Sequence, residues 1–153
     1  LAAGGVADGR GLAAALMLGA DGALVGSRLW ATQESLAAEK AKEIARLAAG
    51  DDTARSRVFD ILRQKNWPEP FDFRAIRNEL HRKWEDRVAS LEADPVAAVQ
   101  DYLDGVAKED YSRAHITVGQ AIGLIDDLPP AAEVIAKIDQ GARKLLQGRG
   151  PAE

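Results

Sequence analysis

Cysteine is absent from the 153 residues, which excludes disulfides and thiolate metal sites alike. Histidine is scarce: His81 and His115 are the only two imidazoles, and neither has partners at metal-ligand spacing, so no metal site is expected. No run reaches the roughly 18 consecutive apolar residues of a membrane span, and no basic, apolar and small leader opens the sequence. A basic excess is missing too. Twenty lysines and arginines stand against 24 aspartates and glutamates for a net charge of −4, and the two signs are interspersed. That pattern leaves no nucleic-acid footprint. Neither nucleic acid nor membrane is an expected partner, and a cytoplasmic location is expected.

What is present begins with a strand–helix–strand pattern. Leu1, Ala2 and Ala3 are apolar and run into Gly4-Gly5, as the inside of a strand does. Residues 7–18 carry Leu12, Ala15 and Leu16 at helical spacing. Asp8 is a suitable N-cap and Gly19 a suitable stop. Residues 22–25 form a second short apolar strand closed by Gly26. A strand, a helix and a strand within so few residues make a βαβ unit, which requires a parallel sheet. Further on, Thr32 is expected to cap a helix reaching Ala49, with Gly50 ending it. Residues 51–56 read as a loop, 58–62 as an apolar segment of undetermined type, and 72–93 as one long helix. Asp94-Pro95 restarts a helix to about Lys108. Pro129-Pro130 introduces the last one, with Val134, Ile135, Ile138, Ala142 and Leu145 on one face. The tail from Gly148 to Glu153 is expected to fray. There is no internal repeat.

Two glycine turns stand out. Gly4-Gly5 follows the first strand and Gly26-Ser27 follows the second, so both lie at C-terminal strand ends, the active face of a parallel barrel. Without a Cβ, the backbone there can come close to a ligand. Amides of Gly5, Gly26 and Ser27, with the Ser27 hydroxyl, form a candidate phosphate site, and a short helix starting after Ser27 would add its positive end. The plainer alternative is a pair of tight strand-to-helix turns. Their occurrence on consecutive strands favours the phosphate site.

These residues carry a resemblance. Residues 2–10 (Ala-Ala-Gly-Gly-Val-Ala-Asp-Gly-Arg), 18–22 (Leu-Gly-Ala-Asp-Gly) and 26–28 (Gly-Ser-Arg) resemble the nitronate monooxygenases, formerly called 2-nitropropane dioxygenases. Residues 57–60, Trp67-Pro68 and 74–78 resemble the small second domain of that family. Residues 119–125 (Gly-Gln-Ala-Ile-Gly-Leu-Ile) with 130–133 resemble its C-terminal return to the barrel. The resemblance implies an α/β fold: the C-terminal portion of a (β/α)8 TIM barrel with an appended small, mainly helical domain. Residues 1–50 would be the last strands and helices of the barrel, 51–112 the small domain, and 113–153 the helices returning to the barrel. It also implies FMN, its phosphate held at Gly4, Gly5, Gly26 and Ser27, with Gln120 reaching the flavin or the cavity wall. Ser27 stands where relatives usually have threonine, and the hydroxyl is kept. Family members oxidise alkyl nitronates with O2. Some relatives reduce quinones with a nicotinamide cofactor, and flavin-type enoyl-acyl carrier protein reductases share the opening motif.

A closed barrel takes about 250 residues, and the chain opens on Leu1. It is therefore expected to be one part of an enzyme, inactive alone, completed by the N-terminal half of the barrel or by a second copy. The family's catalytic histidine would lie before Leu1, so no catalytic residue is assigned. His81 reads as a solvated surface residue and His115 as structural. Gln120 serves equally well as a cap of the turn at Gly119. Trp67, Phe71, Phe73 and Trp84 read as small-domain core. Arg74 and Arg77 read as neighbours on one helix face, paired with nearby acids. A non-catalytic fragment acting as an interaction module is the reading from another class, motivated by two strands whose outer edges need partners.

Overall fold

The computed structural model describes residues 1–148, so the terminal residues expected to fray after Gly148 lie outside the described residues. Strands β1 (Ala2–Ala3) and β2 (Ala23–Leu24) pair in parallel, Ala2 opposite Ala23 and Ala3 opposite Leu24. Parallel neighbours need a crossover, supplied by helix α1 (Gly9–Met17). Asp8 starts this helix from an extended backbone, its carboxylate accepting from the amides of Arg10 at 2.9 Å and Gly11 at 3.0 Å. Gly19, at φ +93°, stops it. The amides of Gly19 and Ala20 bond back to the carbonyls of Leu16 and Ala15, which is the Schellman arrangement. The opening βαβ unit is therefore the one the sequence dictates.

Helix α2 (Ser27–Trp30) follows β2 directly. The next helix, α3 (Glu39–Leu47), begins seven residues after Thr32. Thr32 is not its cap, because its buried hydroxyl donates to the Leu29 carbonyl at 2.8 Å and so closes the turn after α2. Residues 51–56, expected as a loop, hold a 3-10 turn (Gly50–Asp52) and strand β3 (Thr53–Ser56). The segment of undetermined type is helix α4 (Val58–Leu62).

The single long helix expected over 72–93 is instead three elements: β4 (Phe73–Ile76), α5 (Glu79–Trp84) and α6 (Val88–Ala93). Pairing decides this. β4 runs antiparallel to β3, Thr53 opposite Ile76 and Ser56 opposite Phe73, so residues 73–76 are extended, and the outer amides of Phe73 and Ile76 donate to the Asp60 carboxylate and the Ile116 carbonyl. Asn78 then caps α5 by accepting from the His81 amide at 2.9 Å. Helix α7 (Val96–Ala107) starts one residue beyond Pro95, which itself occupies the cap position.

A 3-10 turn (Gln120–Leu124) precedes helix α8 (Ala131–Gln147). Val134, Ile138 and Ala142 are buried as expected, whereas Ile135 is 57% exposed and Leu145 37% exposed. The buried face of α8 lies across α1 at a glycine contact. A Cβ on Gly9 would fall 2.6 Å from the Ala142 nitrogen and the Gly141 carbonyl carbon, and one on Gly141 would fall 3.3 Å from the Gly9 Cα.

Two hydrophobic clusters result. The first joins Ala7, Ala31 and Ala45 to Ile116, Val118, Ile122 and Ile125. The second joins Val58, Phe59 and Leu62 to Leu80, Leu91 and Tyr102. Trp84 and Phe73 pack against the second cluster, but Trp67 and Phe71 are more than half exposed, so only two of the four expected aromatics join that core. Arg74 and Arg77 do not share a helix. Arg74 donates from β4 to the Thr53 hydroxyl at 3.0 Å, and Arg77 lies 3.8 Å from Glu85.

His81 is not a solvated surface group: it is 2% exposed, with Nε2 2.8 Å from Ser56 Oγ and Nδ1 3.2 Å from a Glu85 carboxylate oxygen. Residue 81 follows a strand and sits on the inner face of α5, which a helix continuing from residue 72 would not have indicated. His115 is structural, as expected, its Nδ1 2.8 Å from the Tyr102 hydroxyl beside Phe59 and Phe73. Burial, helped by the Arg63 charge, lowers its pKa from 6.5 to about 4. Burial lowers that of His81 as well, against the opposing pull of Glu85.

Two predictions follow from these contacts. Gly9→Ala places a Cβ against backbone that cannot swing away, so α1 and α8 must separate. A loss of about 1–3 kcal/mol is expected, read as a lower denaturant midpoint; an unchanged midpoint would refute the helix contact. For His115, the folded state refuses a proton that the unfolded chain accepts. Stability is therefore unaffected by this group above pH 6.5 and falls as pH drops from 6.5 to about 4. Thermal melts across that window should show a shallower decline in His115→Gln, and an identical decline would contradict the buried neutral imidazole.

Candidate functional site

The turn after β1 requires glycine. Gly4 at φ +86° and Gly5 at φ +77° lie in the left-handed region, which residues bearing a Cβ rarely occupy. Their Cα positions also face open space, since a Cβ on Gly4, Gly5 or Gly26 would meet nothing within 4 Å. At Gly26 the φ of −98° is ordinary. The parallel register sets Ala3 beside Leu24, so the two turns leave the same end of the sheet side by side.

Gly4, Gly5, Gly26 and Ser27 line one cleft of about 210 Å3, together with Ala3, Val6, Leu24, Gly119 and Ala121. Four of the five residues singled out in the sequence are thus brought together. The fifth, Gln120, is not among the lining residues; its side chain is exposed and its neighbours Gly119 and Ala121 face the cleft instead. Gln120 sits in the 3-10 turn, where its carbonyl packs against Gly50. The turn it shares with Gly119 was the other role open to it.

The hydrogen-bonding groups of the cleft are backbone amides and one hydroxyl. The amides of Gly5, Gly26 and Ser27 have no carbonyl partner among the described residues, as expected for Ser27 in the first turn of a helix. The Ser27 hydroxyl oxygen accepts from the Gly119 amide at 2.7 Å, a contact spanning 92 positions. No lining residue carries a charge. The nearby Arg28 is 5% exposed and occupied: its guanidinium pairs with Asp127 at 2.8 Å and reaches the carbonyls of Ala31 and Asp127, each at 3.3 Å. Arg28 thereby ties α2 to the segment leading into α8. What this arrangement offers is hydrogen-bond donors without a basic side chain, suited to the oxygens of an anion held by backbone amides.

The contribution of Gly119 was hidden in the sequence, where the glutamine beside it has the more chemical side chain. A sharper signal was the glycine itself, since a backbone that approaches another segment closely needs one. The Arg28–Asp127 pair likewise joins residues whose spacing announces nothing. No group of His, Asp or Glu side chains able to hold a metal occurs among the described residues, and no helix is long and apolar enough to cross a membrane.

Comparison with known proteins is consistent across sequence and structure. A family profile for nitronate monooxygenase matches residues 1–141. The chain is 34% identical to nitronate monooxygenase npaC of Metarhizium robertsii, covering 95% of this chain and 42% of that protein. It is 30% identical to a nitronate monooxygenase of Neurospora crassa, over 96% of this chain and 38% of the relative. Among solved structures, FabK from Thermotoga maritima superposes with a TM-score of 0.74 at 29% identity, over 95% of this chain and 44% of that one. Nitroalkane oxidase from Streptomyces ansochromogenes gives a TM-score of 0.75 at 21% identity, over 97% and 40%. The chain thus spans about two fifths of the length of the relatives it matches, from the first glycine turn through most of the last helix, and it belongs to the nitronate monooxygenase family.

Proposed function

We propose that this chain holds the phosphate end of FMN in an oxidoreductase that oxidises alkyl nitronates with O2. The observation that carries the reading is the cleft at the sheet end, in which the amides of Gly5, Gly26 and Ser27 lack carbonyl partners and the Ser27 hydroxyl stands beside them. At about 210 Å3 it is below the roughly 300 Å3 at which pockets for whole ligands begin, which suits one end of a larger molecule. Hydrogen bonds to a charged group contribute about 1.5–3 kcal/mol each, so a few amides suffice without a lysine or arginine. When bound, the flavin supplies the redox chemistry, and this chain's residues supply binding and orientation. Gly4 and Gly5 supply the left-handed turn at the cleft, and Gly26 adds no side chain to its lining.

On this reading residues 1–50 and 113–153 belong to a (β/α)8 barrel and residues 51–112 form a smaller appended unit. The exposed Leu24 and Ile135 and the half-buried Leu12 and Leu16, which line a concavity of about 560 Å3 beside β2, support it, as they are the surface that neighbouring strands and helices of a barrel would cover. A second reading, a nicotinamide-dependent quinone or enoyl-acyl carrier protein reductase with the same phosphate grip, is favoured by the likeness to FabK. Fold alone does not separate the two chemistries.

The test uses the protein as its gene encodes it. Nitronate-dependent O2 uptake without added nicotinamide is expected; nicotinamide oxidation with no nitronate turnover would move the assignment to the second reading. Gly26→Val should raise the FMN dissociation constant at least about tenfold and leave the melting temperature nearly unchanged, because the new side chain meets no protein atom within 4 Å of its Cβ. Full FMN retention in this variant would refute the phosphate site.

A further inference from the structure

We propose that the Gly119 backbone amide is a positioning group for the cofactor phosphate, acting through the Ser27 hydroxyl; the inference rests on the phosphate reading above. A serine hydroxyl has one proton to donate and two lone pairs to accept with. At a helix start it has competing uses, such as bonding to a backbone group of its own first turn. Here the Gly119 amide donates to Ser27 Oγ at 2.7 Å, and the hydroxyl donates to no atom among the described residues. The lone pair facing Gly119 is engaged, so the proton is directed away from residue 119, on an oxygen that lines the cleft. Accepting one hydrogen bond also polarises the hydroxyl and strengthens it as a donor. The glycine serves this geometry, since a Cβ at 119 would sit 3.4 Å from Ser27 Oγ and shade the hydroxyl from that side.

The consequence is that the segment returning after α7 takes part in anion binding without touching the anion. Val118 and Ala121, on either side of this turn, are buried in the first hydrophobic cluster, so the amide is held by packing rather than by the cleft itself. Ser27 provides the contact and Gly119 fixes its orientation.

A double-mutant cycle on the protein as its gene encodes it tests this, with FMN and riboflavin as probes, because riboflavin lacks the phosphate. Ser27→Ala should weaken FMN binding about tenfold and leave riboflavin binding unchanged. Gly119→Pro deletes the donor and sets the ring Cδ where the amide hydrogen pointed at Ser27 Oγ, so the hydroxyl must swing away, and the φ of −89° at this position is close to the range of proline. It should weaken FMN binding by a comparable factor, again without affecting riboflavin. The double variant should be no weaker than Ser27→Ala alone, because the amide acts only through the hydroxyl. If Ser27→Ala weakens FMN binding and Gly119→Pro does not, or if the two losses multiply, the positioning role of Gly119 is overturned while the phosphate site stands. If neither variant distinguishes FMN from riboflavin, the phosphate reading falls and takes this inference with it. Should Gly119→Pro fail to fold, amide exchange at Gly119 in Ser27→Ala decides: exchange about tenfold faster than in the unaltered protein supports the contact, and an unchanged rate overturns it.

Discussion

Gly9 and Gly141 meet with no side chain between them, and the opening unit depends on that approach. Helix α1 begins four residues after the Gly4-Gly5 turn, so whatever holds the start of α1 also holds the turn. Helix α8 holds it, backbone against backbone, with Val134, Ile138 and Ala142 closing the seam. A second tie runs from the same returning segment to the other side of the cleft, where buried Arg28 pairs with half-exposed Asp127. An arginine so enclosed is costly to strand, because losing its partner leaves a desolvated charge. The returning segment therefore fixes both turns, one by shape and one by charge.

Charge is distributed in an instructive way. The ion pairs on exposed helix faces, such as Arg143–Asp139 and Arg46–Glu43, are of the kind worth at most about 1 kcal/mol each. Arg28, next to Ser27 in sequence, is consumed in holding the fold. The backbone donors of the cleft are neutral dipoles, which are fixed by the fold and need no side-chain ordering. That division leaves no charged side chain among the residues lining the cleft, in a chain with net charge −4.

Legibility of the fold in the sequence followed the range of the interactions. Asp8, Gly19 and the paired glycine turns act within a few residues, and the elements they bound were evident. Residues 72–93 were misread because their helical spacing is real after Asn78, while the pairing of 73–76 with β3 is set by a strand twenty positions earlier. Thr32 looked like a helix cap because nothing local shows that its hydroxyl is committed to Leu29. In the site, Gly4, Gly5, Gly26 and Ser27 could be found from the end of each strand. Gly119 could not, because its contribution is a backbone amide brought in from 92 residues away. Side-chain chemistry is visible in a sequence; an amide's destination is not.

The chain leaves the first hydrophobic cluster after Ala48, touches it again through Ile76 and Tyr111 and returns to it at Ile116, and Gly50 and Gln120 meet: a Cβ on Gly50 would fall 2.7 Å from the Gln120 carbonyl oxygen, and one on Gly123 would fall 2.8 Å from the Gly50 nitrogen. Bonds from Arg77 to Asp52 and from Ile76 to Ile116 draw the two passes together further. Most of what lies between hangs from this neck, built on the second cluster. For such a loop the entropy of closure rises only with the logarithm of its length, about 0.6 kcal/mol for each doubling. The size and content of the hanging unit are thus nearly decoupled from the geometry of the cleft, and helices α4 to α7 can change shape or extent at little cost to the strands that lead to Gly4 and Gly26.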